Sequence, residues 1–259
     1  MMNPIEVNFA PHIKAFFFDR SGGVSQGVYA SLNGGLCVED NPNHVMENRK
    51  RIAQYCGLDL NRLSLVHQIH SDIVANVSSI NAIDYKNPCQ ADSQVTTQEN
   101  LILAIQTADC VPILCADTKN NVIAAIHAGW RGAFDGIIQK TIVEMLKQGA
   151  EPQYIQAAIG PCIHQKSYEV DAKFRQNFID QSIQNSQYFM NASKAEHFLF
   201  DLPNYAINCL KKADIEHIQP SLWDSCQNEA RFFSHRRATL SGQKCTGRLI
   251  SVIFLAKSG

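Results

Sequence analysis

The 259-residue sequence predicts an α+β fold: mixed β-sheets with an antiparallel meander, covered by helices, in one domain over residues 1–259. Three observations predict it. Apolar runs of strand length at residues 101–105, 111–115 and 122–126 are separated by short polar segments, the pattern of a three-strand meander. Segments with helical spacing of apolar residues interleave with segments rich in β-branched residues. No internal repeat or low-complexity linker divides the chain. A meander implies antiparallel pairs, which sets the fold apart from a doubly wound parallel sheet.

Taken in order, residues 16–18 read as a short strand. Arg20-Ser-Gly-Gly-Val-Ser and Ser31-Leu-Asn-Gly-Gly-Leu follow, glycine-paired segments that suit an ordered loop. Pro42 and Asn43 open a helix that runs to Cys56 and stops at Gly57. Residues 63–77, rich in β-branched side chains, read as strand. Phe134, Ile138, Ile142 and Met145 have helical spacing and predict a helix over 134–148, ended by Gly149. A strand over 155–159 and a helix near 171–184 follow, and Asp201 caps a helix running through Lys212. Residues 249–255 are apolar enough for a central strand.

Hydrophobic content of 45%, charged content of 18% and a net charge of -1 describe an ordinary soluble globule, with no support for nucleic-acid or membrane-surface binding. From Arg231 onward there are six Lys or Arg and no Asp or Glu, which suits either a site for a small anion or a solvated face. The nine cysteines are irregularly spaced without a Cys-x-x-Cys pair, against a disulfide framework or a four-cysteine zinc module. No apolar stretch approaches the ~20 residues that span a bilayer, and no signal sequence is evident. The expected location is the reducing cytoplasm.

The chemistry-bearing residues concentrate between Thr107 and Gly132. A hairpin folded about residues 119–121 pairs positions whose numbers sum to roughly 238 to 240, which brings Cys110 and His127 together at one end of the sheet. His67 and His70 lie three apart, and in a strand only one of them can face a given site; spacing does not choose between them. One thiolate with two imidazoles is the three-ligand pattern of catalytic zinc. Without metal, Cys110 and His127 form a thiolate–imidazole pair for acyl transfer. Asp109 is either a turn residue or an acid/base group. The segment Ala128-Gly-Trp-Arg-Gly-Ala joins a strand to a helix, where free amides and Arg131 would suit an anion, though it lacks P-loop spacing. Gly160-Pro-Cys-Ile-His164 reads best as a loop with no chemistry.

Taken together, the motifs resemble the YfiH-type family, also called laccase-domain or polyphenol-oxidoreductase proteins and regarded as purine nucleoside phosphorylases. The resemblance runs through Arg20-Ser-Gly-Gly-Val-Ser, Ser31-Leu-Asn33, Asp40, Val45, Asn48-Arg49, Gln68-Ile-His70 and Ala91-Asp92. It continues through Thr107-Ala-Asp-Cys110-Val-Pro, His127-Ala-Gly-Trp-Arg-Gly132, Ile159-Gly-Pro-Cys162, Phe233-Ser-His-Arg-Arg237 and Thr246-Gly-Arg248. It implies zinc ligands at His70, Cys110 and His127, with copper possible in the same site because copper(II) has the higher intrinsic affinity. It also implies phosphorolysis of adenosine, inosine and methylthioadenosine to free purine and ribose 1-phosphate or its methylthio analogue, with some adenosine deamination. Arg49, Arg131, Arg237 and Arg248 are candidates for the phosphate cradle, Asn33 for a substrate contact, and Asp109 for the acid/base group.

Two positions depart from the family pattern. Ser71 stands where glycine is common and is expected to alter a strand edge without removing a ligand. Cys37 stands near where many relatives carry a histidine, which puts any substrate contact of that histidine in doubt. The older name suggests multicopper oxidation, yet nine histidines with no His-x-His pair fall short of the roughly ten that such centres need. Three other readings compete: a cysteine hydrolase or peptidoglycan-precursor editing enzyme using Cys110 and His127, a copper-loaded polyphenol oxidase, and a non-enzymatic, zinc-stabilised binding protein.

Overall fold

The structure, a computed structural model, describes residues 1–36, 38–79 and 87–257; Cys37 lies outside them. Two large sheets are built from alternating strands. The five-stranded sheet runs β1 (Ile5–Asn8), β2 (Ile13–Phe17), β14 (Leu249–Leu255), β6 (Ile102–Thr107) and β3 (Leu63–Leu65). Its pairs are antiparallel except the parallel pair of β3 with β6. The six-stranded sheet runs β13 (His217–Gln219), β9 (Ile155–Ile159), β7 (Val111–Asp117), β8 (Val122–Ala128), β5 (Ser93–Thr96) and β4 (Val74–Asn76). Its four inner strands are antiparallel and its two edge strands pair in parallel. A third, smaller antiparallel sheet orders β10 (Glu169–Asp171), β12 (His197–Phe200) and β11 (Phe189–Asn191).

Period-2 alternation explains how these sheets stack. In β7, Leu114 and Ala116 join Ile123 and Ala125 of β8 in a core shared with Phe17, Leu103, Ile105 and Ile253 of the five-stranded sheet. Val111, Ile113, Ala124 and Ile126 face the other way, against Ile137, Ile138, Ile142 and Met145 of α3 (Ile137–Lys147) and Ala206 and Leu210 of α5 (Leu202–Lys211). Ile52 and Ala53 of α1 (Pro42–Tyr55) cover the far face of the five-stranded sheet. The fold class is the predicted one, mixed sheets with an antiparallel run and a helical cover. Among the described residues no helix is long and apolar enough to cross a membrane.

Several local expectations hold. Asn41 caps α1 by accepting from the Asn43 amide, Pro42 occupies the first turn, and Gly57 follows at φ +74. Asp171 caps α4 (Ala172–Gln181), and Asp201 caps α5. The central position of β14 is also as predicted.

Three expectations are corrected. First, β6 does not continue the meander: it pairs with β14 and β3, so the chain changes sheets between β6 and β7. Second, the strand over 63–77 is broken into β3 and β4, and the segment carrying both histidines is a loop. Its amides at Ile69, His70 and Ser71 are claimed by the Asp92 carboxylate and do not join a strand ladder. Third, the helix over 134–148 starts earlier, as α2 (Trp130–Asp135), and restarts as α3 after Gly136, whose φ of +96 interrupts it. The short α6 (His235–Leu240) and the small third sheet are too brief to register in sequence periodicity.

Candidate active site

The change of sheet between β6 and β7 creates the site. Cys110 lies on this connection, just before β7, next to Asp109 at φ +88. His127 lies one residue from the end of β8, opposite Pro112 in the hairpin register. Cys110 and His127 share the parity of Leu114 and Ile123, so both project toward the seam between the two sheets. His70 reaches the same point from the β3–β4 loop, held in the left-handed region at φ +59. The Sγ of Cys110 and the ring nitrogens of the two histidines lie within 4.8 Å of one another. Cys110 Sγ is 3.7 Å from His70 Nε2, and the imidazoles meet edge to face at 4.8 Å.

This donor set fits zinc. One thiolate and two imidazoles are borderline-soft ligands suited to it. With Zn–S near ~2.3 Å and Zn–N near ~2.1 Å, a tetrahedral site needs ligand separations of about 3.3 to 3.7 Å, and the Cys110–His70 spacing meets that. The backbone also leaves the necessary room. A Cβ placed on Gly129 would stand 2.7 Å from His70 Cδ2 and 3.2 Å from Cys110 Sγ.

A buried carboxylate organises the cluster. Asp92, fully buried, accepts His127 Nδ1 at 2.7 Å on Oδ1, together with the His70 amide at 3.0 Å. Its Oδ2 accepts the amides of Ile69 and Ser71 and the Ser71 hydroxyl, at 3.2, 2.6 and 2.7 Å. An ionised carboxylate only accepts, so a neutral His127 carries its proton on Nδ1 and leaves Nε2 free to ligate. Ser71 therefore stands in the loop and not at a strand edge, and its hydroxyl adds a bond to Asp92.

The electrostatics follow from this packing. Burial pushes the Asp92 carboxyl up, but hydrogen bonds from His127 and Ser71 outweigh it and hold the group at about 2. Burial likewise raises the Cys110 thiol, yet His127 and His70 bring it down to about 6. Burial disfavours the His127 imidazolium, while Cys110 and Asp92 hold it up at about 9. Metal-free protein thus carries a thiolate and an imidazolium between those two values. By contrast, burial alone pushes Cys56 and Cys115 up to about 12. Iodoacetamide should therefore alkylate Cys110 in metal-free protein at a near-plateau rate at pH 7, slowing only as pH falls through about 6. Peptide mass spectrometry across the pH range reads this; a midpoint at the ordinary thiol value of about 8.5 would contradict the pairing.

A cavity of about 380 Å³ opens beside the cluster. Leu36, Val38, Leu65 and Pro88 give it apolar walls; Arg49 and Arg248 supply guanidinium groups, and no carboxylate lines it among the described residues. Both arginines are anchored: Arg49 Nε donates to Gly34 O at 2.9 Å, and Arg248 donates to Thr246 O at 2.8 Å.

The other candidates lie elsewhere. Arg131 is exposed and stacks over Trp130 at 5.4 Å. Arg237 is committed to the backbone carbonyls of Ser225, Cys226 and Phe232. Asn33 is fully buried and bonds Asp40, Gly35 and the Arg248 amide, so it shapes the cavity wall without lining it. Asp109 accepts from Ser225 Oγ at 2.7 Å and from the Arg236 amide at 2.6 Å, which ties the Cys110 turn to α6. The expectation that only one of His67 and His70 faces the site fails with the strand assignment: both line the cavity, while His70 alone joins Cys110 and His127.

Sequence reasoning gave no role to several lining residues. Gln68 donates to Gln106 O and accepts from the Gln106 amide, each at 2.7 Å, which fastens the His70 loop to β6. Thr107 also lines the cavity, and its buried hydroxyl has no hydrogen-bond partner among the described residues. His235 adds an exposed imidazole at the start of α6. Asp92 belongs to the Ala91-Asp92 motif, but only the fold reveals what it holds.

The chain is similar to known proteins over most of its length. The family model described as multi-copper polyphenol oxidoreductase laccase matches residues 14–256. A Rickettsia conorii protein named purine nucleoside phosphorylase is 33% identical over 239 residues, covering 92% of this chain and 94% of the relative. A Shigella flexneri protein named purine nucleoside phosphorylase YfiH is 34% identical over 239 residues, covering 91% of each chain. The solved structure of a Bacillus licheniformis hypothetical protein YfiH superposes with a TM-score of 0.86 at 31% identity, over 94% of this chain and 92% of that one.

Proposed function

The chain belongs to the multi-copper polyphenol oxidoreductase laccase family, and on that premise we propose that it is a zinc-dependent purine nucleoside phosphorylase. Its substrates are adenosine, inosine and methylthioadenosine, and adenosine deamination is a side activity. One observation carries the reading: a single cavity joins the Cys110–His70–His127 cluster to the guanidinium groups of Arg49 and Arg248. The relatives named purine nucleoside phosphorylase agree with it.

Phosphorolysis forms a bond from a phosphate oxygen to C1′ of the ribose as the bond to purine N9 breaks. The residues supply what that exchange needs. Arg49 and Arg248 neutralise and orient the incoming phosphate, and their anchored side chains lose little freedom in doing so. The apolar walls at Leu36, Val38, Leu65 and Pro88 take the purine and keep water from competing with phosphate. His70, Cys110 and His127 would hold zinc, which when bound supplies Lewis acidity at that end of the cavity. Copper(II) would compete for the same three donors. Among the described residues this is the one group of three or more such ligands, too few for a multicopper centre.

Protein loaded with zinc alone should release base from adenosine or inosine only when phosphate is present, with ribose 1-phosphate as co-product. Release independent of phosphate would overturn the assignment. One observation favours a second reading, a cysteine hydrolase: Cys110, His127 and Asp92 form a thiolate–imidazolium–carboxylate series. Full activity after chelation would select that reading. Earlier melting of metal-free protein, with no turnover of any nucleoside, would select a zinc-stabilised binding protein.

A further inference from the structure

We propose that Asp92 is the positioning residue of the site: one carboxylate that sets the ligating tautomer of His127 and folds the His70 loop onto Cys110. The inference rests on reading His70, Cys110 and His127 as metal ligands. Two of these come from the β6–β8 region and the third from a loop between β3 and β4, so nothing in chain connectivity brings them together. Asp92 does. Its two oxygens take five donors from both sides of the site: Ile69, His70 and Ser71 amides, the Ser71 hydroxyl and the His127 ring. The Asp92 carbonyl also accepts the His127 amide at 2.7 Å, fixing ring and backbone together.

The donor arrangement predicts what an amide would do in its place. Oδ2 faces two backbone N–H groups, which cannot reverse, and a hydroxyl. An asparagine at 92 must therefore keep its oxygen on that side and turn its NH2 toward His127 and the His70 amide. His127 can satisfy that NH2 only by presenting an Nδ1 lone pair, which moves its proton to Nε2, the atom needed for ligation. The His70 amide loses its acceptor in the same exchange. Ser71 contributes a single hydroxyl to the carboxylate, so removing it weakens the grip on the loop without touching the tautomer.

The test uses full-length protein, zinc as the probe and two readouts. Asp92→Asn should bind zinc about 10- to 100-fold more weakly in competition with a chromophoric chelator. In metal-free protein at alkaline pH, where the ring is neutral, 15N NMR should show His127 protonated on Nε2 in Asp92→Asn and on Nδ1 in the parent. A purely structural role would lower the melting temperature without moving that proton. Wild-type zinc affinity together with an unmoved proton would overturn the proposal. Ser71→Ala supports it independently of how well Asp92→Asn folds: a few-fold loss of zinc affinity with the Nδ1 proton retained is expected, and unchanged affinity counts against it. Failure of the parent protein to bind zinc would instead overturn the metal reading beneath it.

Discussion

Replacing Cys110 by alanine is expected to lower kcat/KM for phosphate-dependent release of base by about 10³-fold or more, to the assay background. On the proposed reading three side chains would hold the metal, and the thiolate is the only anionic one among them. Its loss leaves two imidazoles, of which His70 is exposed and sits on the β3–β4 loop. It also removes a charge that keeps the His127 imidazolium stable, so the ring loses protons at lower pH than in the parent. The fold should survive. Cys110 is only half-buried and precedes β7, so alanine there leaves no sizeable cavity between the sheets. Elemental analysis should show zinc falling well below one equivalent, while circular dichroism and the melting temperature of metal-free protein stay near the parent's. A Cys110→Ala protein that retains phosphorolysis would place the reaction elsewhere in the molecule.

Much of this site was legible in the sequence, and the parts that were not share a physical cause. The hairpin of β7 and β8 could be read because two apolar runs flank one polar turn. Its observed register, Pro112 opposite His127, falls in the expected range. Strand alternation then places Cys110 and His127 on one face. That β6 belongs to a different sheet could not be read, since residues 102–107 look the same whether they extend a meander or join a second layer. The His70 loop failed for a related reason: β-branched residues favour a strand, but the buried Asp92 carboxylate competes for the same amides and wins. Choosing His70 over His67 therefore came from family resemblance and not from spacing. The arginines show the limit most plainly. Arg49 and Arg237 each sit in a recognisable motif, yet one lines the cavity and the other binds loop carbonyls, and only tertiary contacts separate them.

Gly129→Ala separates the site from the fold more cleanly than any ligand substitution. Gly129 has φ −66 and ψ 161, a conformation open to every residue, so the backbone does not require glycine there. What requires it is space. The added methyl would sit 2.7 Å from His70 Cδ2 and 3.2 Å from Cys110 Sγ, inside the shell where the ligands must converge. His70 is exposed and can swing outward to relieve the contact, so the strain appears as a displaced ligand and not as unfolding. Losing glycine at the N-cap of α2 costs metal-free protein about 1 kcal/mol at most. Zinc affinity should fall about 100-fold, and because bound zinc stabilises in proportion to RT ln(1 + [Zn]/Kd), that removes roughly 2.7 kcal/mol of zinc-linked stability at saturating metal. Melting curves with and without zinc therefore give the signature: nearly coincident metal-free transitions for parent and variant, and a much smaller zinc-induced rise for Gly129→Ala. Phosphorolysis should fall with zinc occupancy. A Gly129→Ala protein that binds zinc as tightly as the parent would show that His70 does not need its observed position to ligate, and the three-ligand reading would have to be withdrawn.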